Sequence, residues 1–378
     1  MKISYISSSI IPSRTANSIH VMKMGQAFLK NGHSVILIYP DKKNLTEEFV
    51  DDIYNYYGVA SGFLTVPVAW YGFWGHKIAS LIYAIKAAKF AKDSKAELVY
   101  CRNLLGAFIA AVFFRMKVSF EAHAPVNNTS FYSRLIFKLL VNSKNFVKLV
   151  VISGALYKYF LQEFRVDSEL LHLAPDGADN IKDCTSKKRF QSKNLMSVGY
   201  IGHLYPGRGV ELILELSKLL PKVDFHLVGG TEEDIAFWKN KLLSSKNIYF
   251  HGFVPPSEVE SYRISFDVLL APYQNVVGVS GGGGDTAKWM SPLKVFEYMA
   301  AGKIIVCSDL PSLREILTHK VNAILCAPND VQAWYNALLW VMDNPVDAAE
   351  IANSAYEEFT KKYTWEERAR GIIEKISR

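Results

Sequence analysis

Cysteine is scarce in this chain: four residues in 378, at positions 101, 184, 307 and 326, with no pair at a metal-ligand or redox spacing. That scatter indicates neither a disulfide framework nor a zinc site, and it suits a reducing cytoplasm. Long apolar runs are also missing. The longest, Leu104 to Phe114, falls well short of the ~20 residues that cross a bilayer. The amino-terminal stretch MKISYISSSIIP has no extended apolar core ending at a small-residue cleavage site, so it does not read as a secretory signal. The expected location is the cytoplasm, peripheral at most to the inner face of the plasma membrane. Glycine is absent where a dinucleotide-binding enzyme needs it. SSSIIPSRTANS, after the first apolar run, contains none, which excludes the glycine fingerprint of an NAD-dependent dehydrogenase.

Acidic residues are thin in the first half. Residues 1–178 hold 20 Lys and Arg against 12 Asp and Glu, whereas the rest is near balance, so the net charge of +7 belongs to the first half. None of the familiar RNA- or DNA-binding signatures accompanies that charge, and no nucleic-acid partner is expected.

What is present is enough apolar material, 50% of residues, for two sizeable cores. KISYIS (2–7), a helically spaced 18–32 and the β-branched HSVILIYP (33–40) read as strand, helix, strand. The alternation continues through a helix at about 76–92, strand 98–101, an apolar helix, strand 118–123, a helix at about 131–142 and strand 148–153. Residues 179–194 turn polar and read as a linker. A second alternating run follows, with strands at LMSVGYIG, DFHLVGG, NIYFHGF, DVLLAPY, KIIVCSD and AILCAP. The expected fold class is α/β, two Rossmann-like domains (1–178 and 195–361) with parallel sheets facing a central cleft.

Three stretches could carry chemistry. In SGGGGDTAKWMSPLKVFEYMAAGK (280–303), Ser291 is expected as an N-cap and Pro292 as the first helical residue, placing Lys294 third and Glu297 sixth on one face. Free helix N–H groups beside a lysine suit a diphosphate, and a carboxylate one turn on suits ribose or sugar hydroxyls. Glu297, set among apolar neighbours, is expected to be partly buried and to need a partner. In VGYIGHLYPGRGVELILEL (198–216), Arg208 between two glycines could reach a phosphate bidentately. In FEAHAP (120–125), His123 ends a strand, where it could bond a substrate hydroxyl or shuttle a proton, or simply be structural. GTEED (230–234) reads as a capped, acidic helix start rather than a metal site.

Together SPLKVFEYMAAGKIIVCSD, GYIGHLYPGRGVELI, LVGGTEEDI, FHGFVPPSEV and LAPDGAD resemble the retaining GT-B glycosyltransferases of family 4, also called glycosyl transferases group 1. The resemblance implies an acceptor domain, then a nucleotide-sugar domain, with a last helix (about 362–378) crossing back to the first. It implies that Glu297 holds the donor ribose, that Arg208 and Lys294 neutralise the diphosphate, and that Leu293 offers it a backbone N–H. Val254 would meet the base through backbone atoms, and His123 would lie near the donor sugar. Three positions depart from the family pattern. Trp289 replaces the first acid of its E-x7-E motif, so sugar contacts pass to Asp285 or to amides of the glycine run such as Gly283 and Gly284. His203 stands where an arginine is usual, and IIPSRTANSIH lacks the usual glycine pair.

The implied reaction is a same-face substitution with no enzymic nucleophile, in which stabilisation of the departing diphosphate is the main catalytic term. No cofactor or metal is expected; the partners are a UDP- or GDP-sugar and a glycan or lipid-linked acceptor, in envelope polysaccharide or glycolipid synthesis. Trp70, Tyr71, Phe73 and Trp74 beside Lys77, Lys86, Lys89, Lys92 and Lys95, with a similar mixture at 131–149, suit an anionic membrane surface or, equally, core helices with solvated lysines. A GT-B protein that binds a nucleotide without transferring is the alternative, which the Trp289 replacement keeps open.

Overall fold

The computed structural model describes residues 1–42, 45–47, 50–126, 131–181, 187–188, 190, 194–205, 207–242, 245–278 and 286–377, Trp74 without its side chain. The chain divides into two compact units, Met1–Asp176 with Trp365–Arg378, and Gly177–Thr364. The first boundary thus falls two residues before the expected 178. Ala178 already belongs to the second unit, where it forms a β-bridge with Thr364.

The first unit is built on a seven-stranded parallel sheet of β1 (Lys2–Ile6), β2 (Ser34–Asp41), β3 (Leu64–Ala69), β4 (Leu98–Cys101), β5 (Val118–Ala122), β6 (Phe146–Val151) and β7 (Leu171–Leu173), in the order β3-β2-β1-β4-β5-β6-β7. β1 is central because it is apolar on both faces. Ile3, Tyr5 and Ile6 are buried, and Ile3 sits opposite both Val35 and Leu98. Helix Ala16–Lys30 starts at Thr15, whose hydroxyl accepts from Ser18 N–H, and stops at the Asn31-Gly32 pair, Gly32 having φ +79°.

Two segments differ from the sequence reading. β3 was not expected, because Pro67 interrupts LTVPVA; the strand lies at the sheet edge, where a missing N–H is tolerated. The apolar run from Leu104 is an α-helix only to Phe108, and Ile109–Phe113 continues as a π-helix.

The second unit has a six-stranded parallel sheet of β8 (Met196–Ile201), β9 (Val223–Val228), β10 (Ile248–Gly252), β11 (Val268–Ala271), β12 (Ile304–Ser308) and β13 (Ile324–Cys326), in the order β10-β9-β8-β11-β12-β13. Alternate strand residues feed two apolar layers, Val198, Phe225 and Leu270 on one face and Val228, Leu269 and Ile305 on the other. The acidic helix Glu232–Lys241 is closed by a capping box between Thr231 and Asp234, as GTEED suggests. The strand order reverses beside β8, whose carboxyl end leads into the loop that carries Arg208.

Candidate active site

The second unit gathers two cations among tyrosine rings. Arg208 lies between Gly207 and Gly209, just ahead of helix Val210–Leu219. Gly209 has φ +79°, and a Cβ there would come within 2.0 Å of the Pro272 carbonyl, so only glycine lets this loop close against the strand end. The Arg208 guanidinium donates to Tyr205 Oη (3.0 Å) and to the Gly278 carbonyl (3.3 Å), and lies 5.6 Å from the Tyr273 ring centroid. Its Nε–H is buried and has no hydrogen-bond acceptor among the described residues. A buried donor on a cation without an acceptor is costly.

Lys294 approaches the same tyrosine from helix Leu293–Ala300. Its ammonium lies 4.0 Å from the Tyr200 centroid and 5.0 Å from that of Tyr273. Among the described residues no carboxylate pairs with it. Burial of the ammonium, with Arg208 adding repulsion, holds its pKa well below the usual lysine value. Two cations beside one ring, with the start of a helix next to them, are an arrangement that suits a dianion.

The helix begins one residue later than expected. Pro292, at φ −77° and ψ 121°, is the N-cap and provides no side-chain cap; Ser291 is buried but is not the cap. Proline's fixed φ fits either side of this boundary, and its extended ψ decides it. Leu293 is therefore the first helical residue, with no acceptor one turn back for its N–H, Lys294 the second and Glu297 the fifth. The i,i+3 relation survives the shift. Glu297 has the partner it needs in Arg263, at 2.9 Å, from helix Val259–Arg263. Sequence reasoning missed Arg263, because nothing local signals a pair 34 residues apart.

His203 contributes its carbonyl to Tyr200 Oη (2.6 Å) and stacks its ring on Tyr205 at 5.1 Å. Val254 turns its side chain into the core with Val228 and Val259, leaving its main chain for any ligand contact. Trp289, in the turn before the helix, carries Lys288 over its ring at 4.5 Å. Gly283, Gly284 and Asp285 lie outside the described residues.

His123 follows β5 in the first unit and heads a cluster that sequence reasoning did not assemble. Its Nε2 meets Glu121 Oε1. His20 Nε2 is 2.8 Å from the same carboxylate and its Nδ1 is 3.0 Å from Asp176, both without hydrogen-bond angles. Arg368, from helix Trp365–Ser377, reaches Glu121 at 3.2 Å and donates to the Pro175 carbonyl at 2.8 Å. Burial alone would raise the Glu121 pKa; Arg368 first, then His20 and His123, hold it well below the usual carboxylate range. Burial, with Arg102 adding to it, pushes His123 down to about 4, so its imidazole is neutral near pH 7 although 24% of the side chain is exposed. The ligating atoms of His20, Glu121, His123 and Asp176 lie within 4.8 Å of one another, a metal-type donor set, but Arg368 already supplies the balancing cation.

Two family models cover most of the chain, glycosyltransferase family 4 at residues 18–180 and glycosyl transferases group 1 at residues 196–344. The chain belongs to this glycosyltransferase family. Among curated relatives, the Staphylococcus aureus poly(ribitol-phosphate) alpha-N-acetylglucosaminyltransferase is 22% identical over 79% of this chain and 58% of its own length. TuaH, a Bacillus subtilis protein named as a glycosyltransferase of teichuronic acid biosynthesis, is 27% identical over 42% of this chain and 40% of its own. The chain thus spans about half the length of these relatives. In fold it is similar over its whole length to Anabaena HepE, solved with UDP (TM-score 0.70, 17% identity, all of both chains). A point mutant of S. aureus TarM, solved with fondaparinux, alpha-GlcNAc-glycerol and UDP, superposes with TM-score 0.72 at 12% identity, again over all of both chains. Both support the two-Rossmann-domain GT-B fold.

Proposed function

We propose that this chain is a retaining, metal-independent glycosyltransferase that moves a sugar from a UDP- or GDP-linked donor to a hydroxyl of a glycan or lipid-linked acceptor, on the cytoplasmic side of the envelope. The observation that carries this reading is the pair Arg208 and Lys294 around Tyr273, two cations with no ion-paired carboxylate among the described residues, and a buried Arg208 Nε–H with no acceptor among them. A nucleotide diphosphate supplies that charge and that acceptor. UDP is favoured over GDP because the solved neighbours named above carry UDP. The relatives' names, poly(ribitol-phosphate) and teichuronic acid, favour an anionic envelope polymer or its lipid-linked precursor as acceptor.

As the glycosidic C–O bond breaks, negative charge grows on the leaving diphosphate. Arg208 and Lys294 neutralise it from fixed positions, aided by the Leu293 N–H at the helix start. Glu297, held on one side by Arg263, keeps an oxygen for the ribose hydroxyls. The neutral His123, its Nε2–H given to ionised Glu121, presents Nδ1 as an acceptor for a sugar hydroxyl. Calorimetry with UDP, GDP and ADP tests the reading. Selective micromolar to millimolar binding of one nucleotide, weakened at least tenfold (~1.4 kcal/mol) in Glu297→Ala, is expected. Absence of binding by folded protein at millimolar nucleotide would remove the donor site. NMR of the product's anomeric proton, with an α-linked donor, checks retention.

A further inference from the structure

The first unit bears a face that the donor site does not use. Half of the exposed large hydrophobic side chains among the described residues lie between residues 73 and 139. Helix His76–Asp93 explains part of this, being apolar on two opposite sides. Ala79, Tyr83, Ala84, Ala87, Ala88 and Ala91 are buried, while Ile78, Leu81 and Ile85, at 52, 46 and 44% exposure, form a second stripe in solvent. A helix that only needed to cover a sheet would be polar there. This helix packs on Leu104–Phe108 and on the π-helix Ile109–Phe113, and Leu104–Phe108 packs in turn on helix Phe131–Val141, so the three segments form one continuous layer. The layer also exposes Phe113 at 68%, Leu135 at 42% and Leu139 at 49%.

Charge selects the occupant. Residues 53–162 contain 13 Lys and Arg and only three acids, Asp93, Glu97 and Glu121, the last buried within the cluster above. Exposed Lys77, Lys86, Lys89, Lys92 and Lys138 flank the apolar stripes on the same helices, and none of these helices carries an acid except Asp93 at an end. A second copy of this chain would bring the same positive charge against itself. An aqueous polyanion would satisfy the lysines but leave the leucines wet. Apolar side chains rimmed by cations match the interface of an anionic bilayer, where each lysine near the surface adds to the attraction. Among the described residues no helix is long and apolar enough to cross a membrane, so the contact is superficial.

We infer that this layer, formed by His76–Asp93, Ile109–Phe113 and Phe131–Val141, docks the protein flat on an anionic lipid surface. This deepens the proposed function, on which it rests for the location of the acceptor, by fixing which face meets the lipid.

Vesicle flotation of the full chain tests it, with vesicles of phosphatidylcholine alone or with 30% phosphatidylglycerol, at low and high salt. Partition onto the anionic vesicles is expected, at least tenfold weaker onto the neutral ones and reduced by salt. The variant Ile78→Ser/Leu81→Ser/Ile85→Ser should lose at least tenfold, as should Lys86→Glu/Lys89→Glu. Both alter exposed positions, and Phe113→Ser on the π-helix serves should either fail to fold. No partition, or partition unchanged in all three variants, overturns the inference. So does a wild-type dimer by light scattering that becomes monomeric in the serine variant without vesicle binding, or binding to a soluble polyanion alone. UDP calorimetry on the same preparations separates the two readings, since lost vesicle binding with intact UDP binding removes only the docking face.

Discussion

Arg368 and Glu121 meet at 3.2 Å inside the first unit, 247 residues apart in sequence, with both side chains at 2% exposure or less. Glu121 also receives Tyr100 Oη and His123, so one carboxylate organises most of the polar atoms at the end of β5. Replacing Arg368 by Ala leaves that carboxylate buried without its main counter-charge. A loss of about 3–5 kcal/mol is expected in urea unfolding. Adding Glu121→Gln to Arg368→Ala should recover part of it, which a double-mutant cycle would read as coupling.

Lys294→Met should separate binding from stability. The ammonium is enclosed among rings and pairs with no carboxylate among the described residues, so removing it relieves the folded protein while depriving the diphosphate of a charge. Nucleotide affinity should fall at least tenfold, ~1.4 kcal/mol. The melting temperature should rise, by about 2–4 °C for each kcal/mol gained. A variant that lost both together would mean that Lys294 is chiefly structural.

The depressed Lys294 pKa also predicts proton uptake on binding. Its base form gains population at alkaline pH in the free protein, and a bound diphosphate favours the ammonium again. Calorimetry in buffers of different ionisation enthalpy, at a pH below the ordinary lysine value, should show proton uptake that vanishes in Lys294→Met.

Gly202 has φ +148°, and a Cβ there would lie 3.0 Å from Lys294 Nζ and 3.3 Å from Tyr200 Oη. Gly202→Ala therefore strains the backbone and displaces the ammonium by a few tenths of an ångström. Weaker UDP binding with a lowered melting temperature is expected, in contrast to Lys294→Met.

Acid should destabilise the first unit before its carboxylates titrate. His123, at about 4 when folded against an ordinary ~6.5, stays neutral over a window in which the unfolded chain takes up a proton. Stability therefore falls as the pH drops from 6.5 to 4, by at most ~1.4 kcal/mol per pH unit for this group. Glu121, also depressed, adds a loss of the same sign below the ordinary carboxylate range. His172, pushed down to about 4 mainly by burial, steepens the same limb, and His226, depressed likewise, adds a loss of the same sign in the second unit. Unfolding midpoints measured from pH 4 to 8 should show a shallower slope in His123→Asn.

The alternation of strands and helices was legible because buried parallel strands read as apolar runs, and the two edge strands of the first sheet escaped, the proline-bearing β3 and the three-residue β7. Lys294 and Arg208 were singled out as cations next to glycine loops and helix starts, and the structure sets both beside Tyr273. Their tyrosine surroundings were not legible, since Tyr200, Tyr205 and Tyr273 come together only when β8 and β11 pair. For the same reason Arg263, His20, Asp176 and Arg368 carried no local signal: each acts on a residue from another element. Of the aromatics that looked like a surface patch, Trp70 lies under Lys42 at 4.1 Å and Tyr71 bonds Lys86, while Phe73 is 76% exposed. Spacing alone does not reveal which ring a neighbour will cover.

The placement of Trp365–Arg378 with residues 1–176 has a consequence for biosynthesis. As the chain leaves the ribosome, the first unit's seven strands are complete after Leu173, but Glu121 has no guanidinium until Arg368 emerges, after the whole second unit has been made. At about 5–20 residues per second, the nascent first unit waits on the order of ten seconds or more with that carboxylate lacking its main counter-charge. The first unit is thus begun before the second and completed after it.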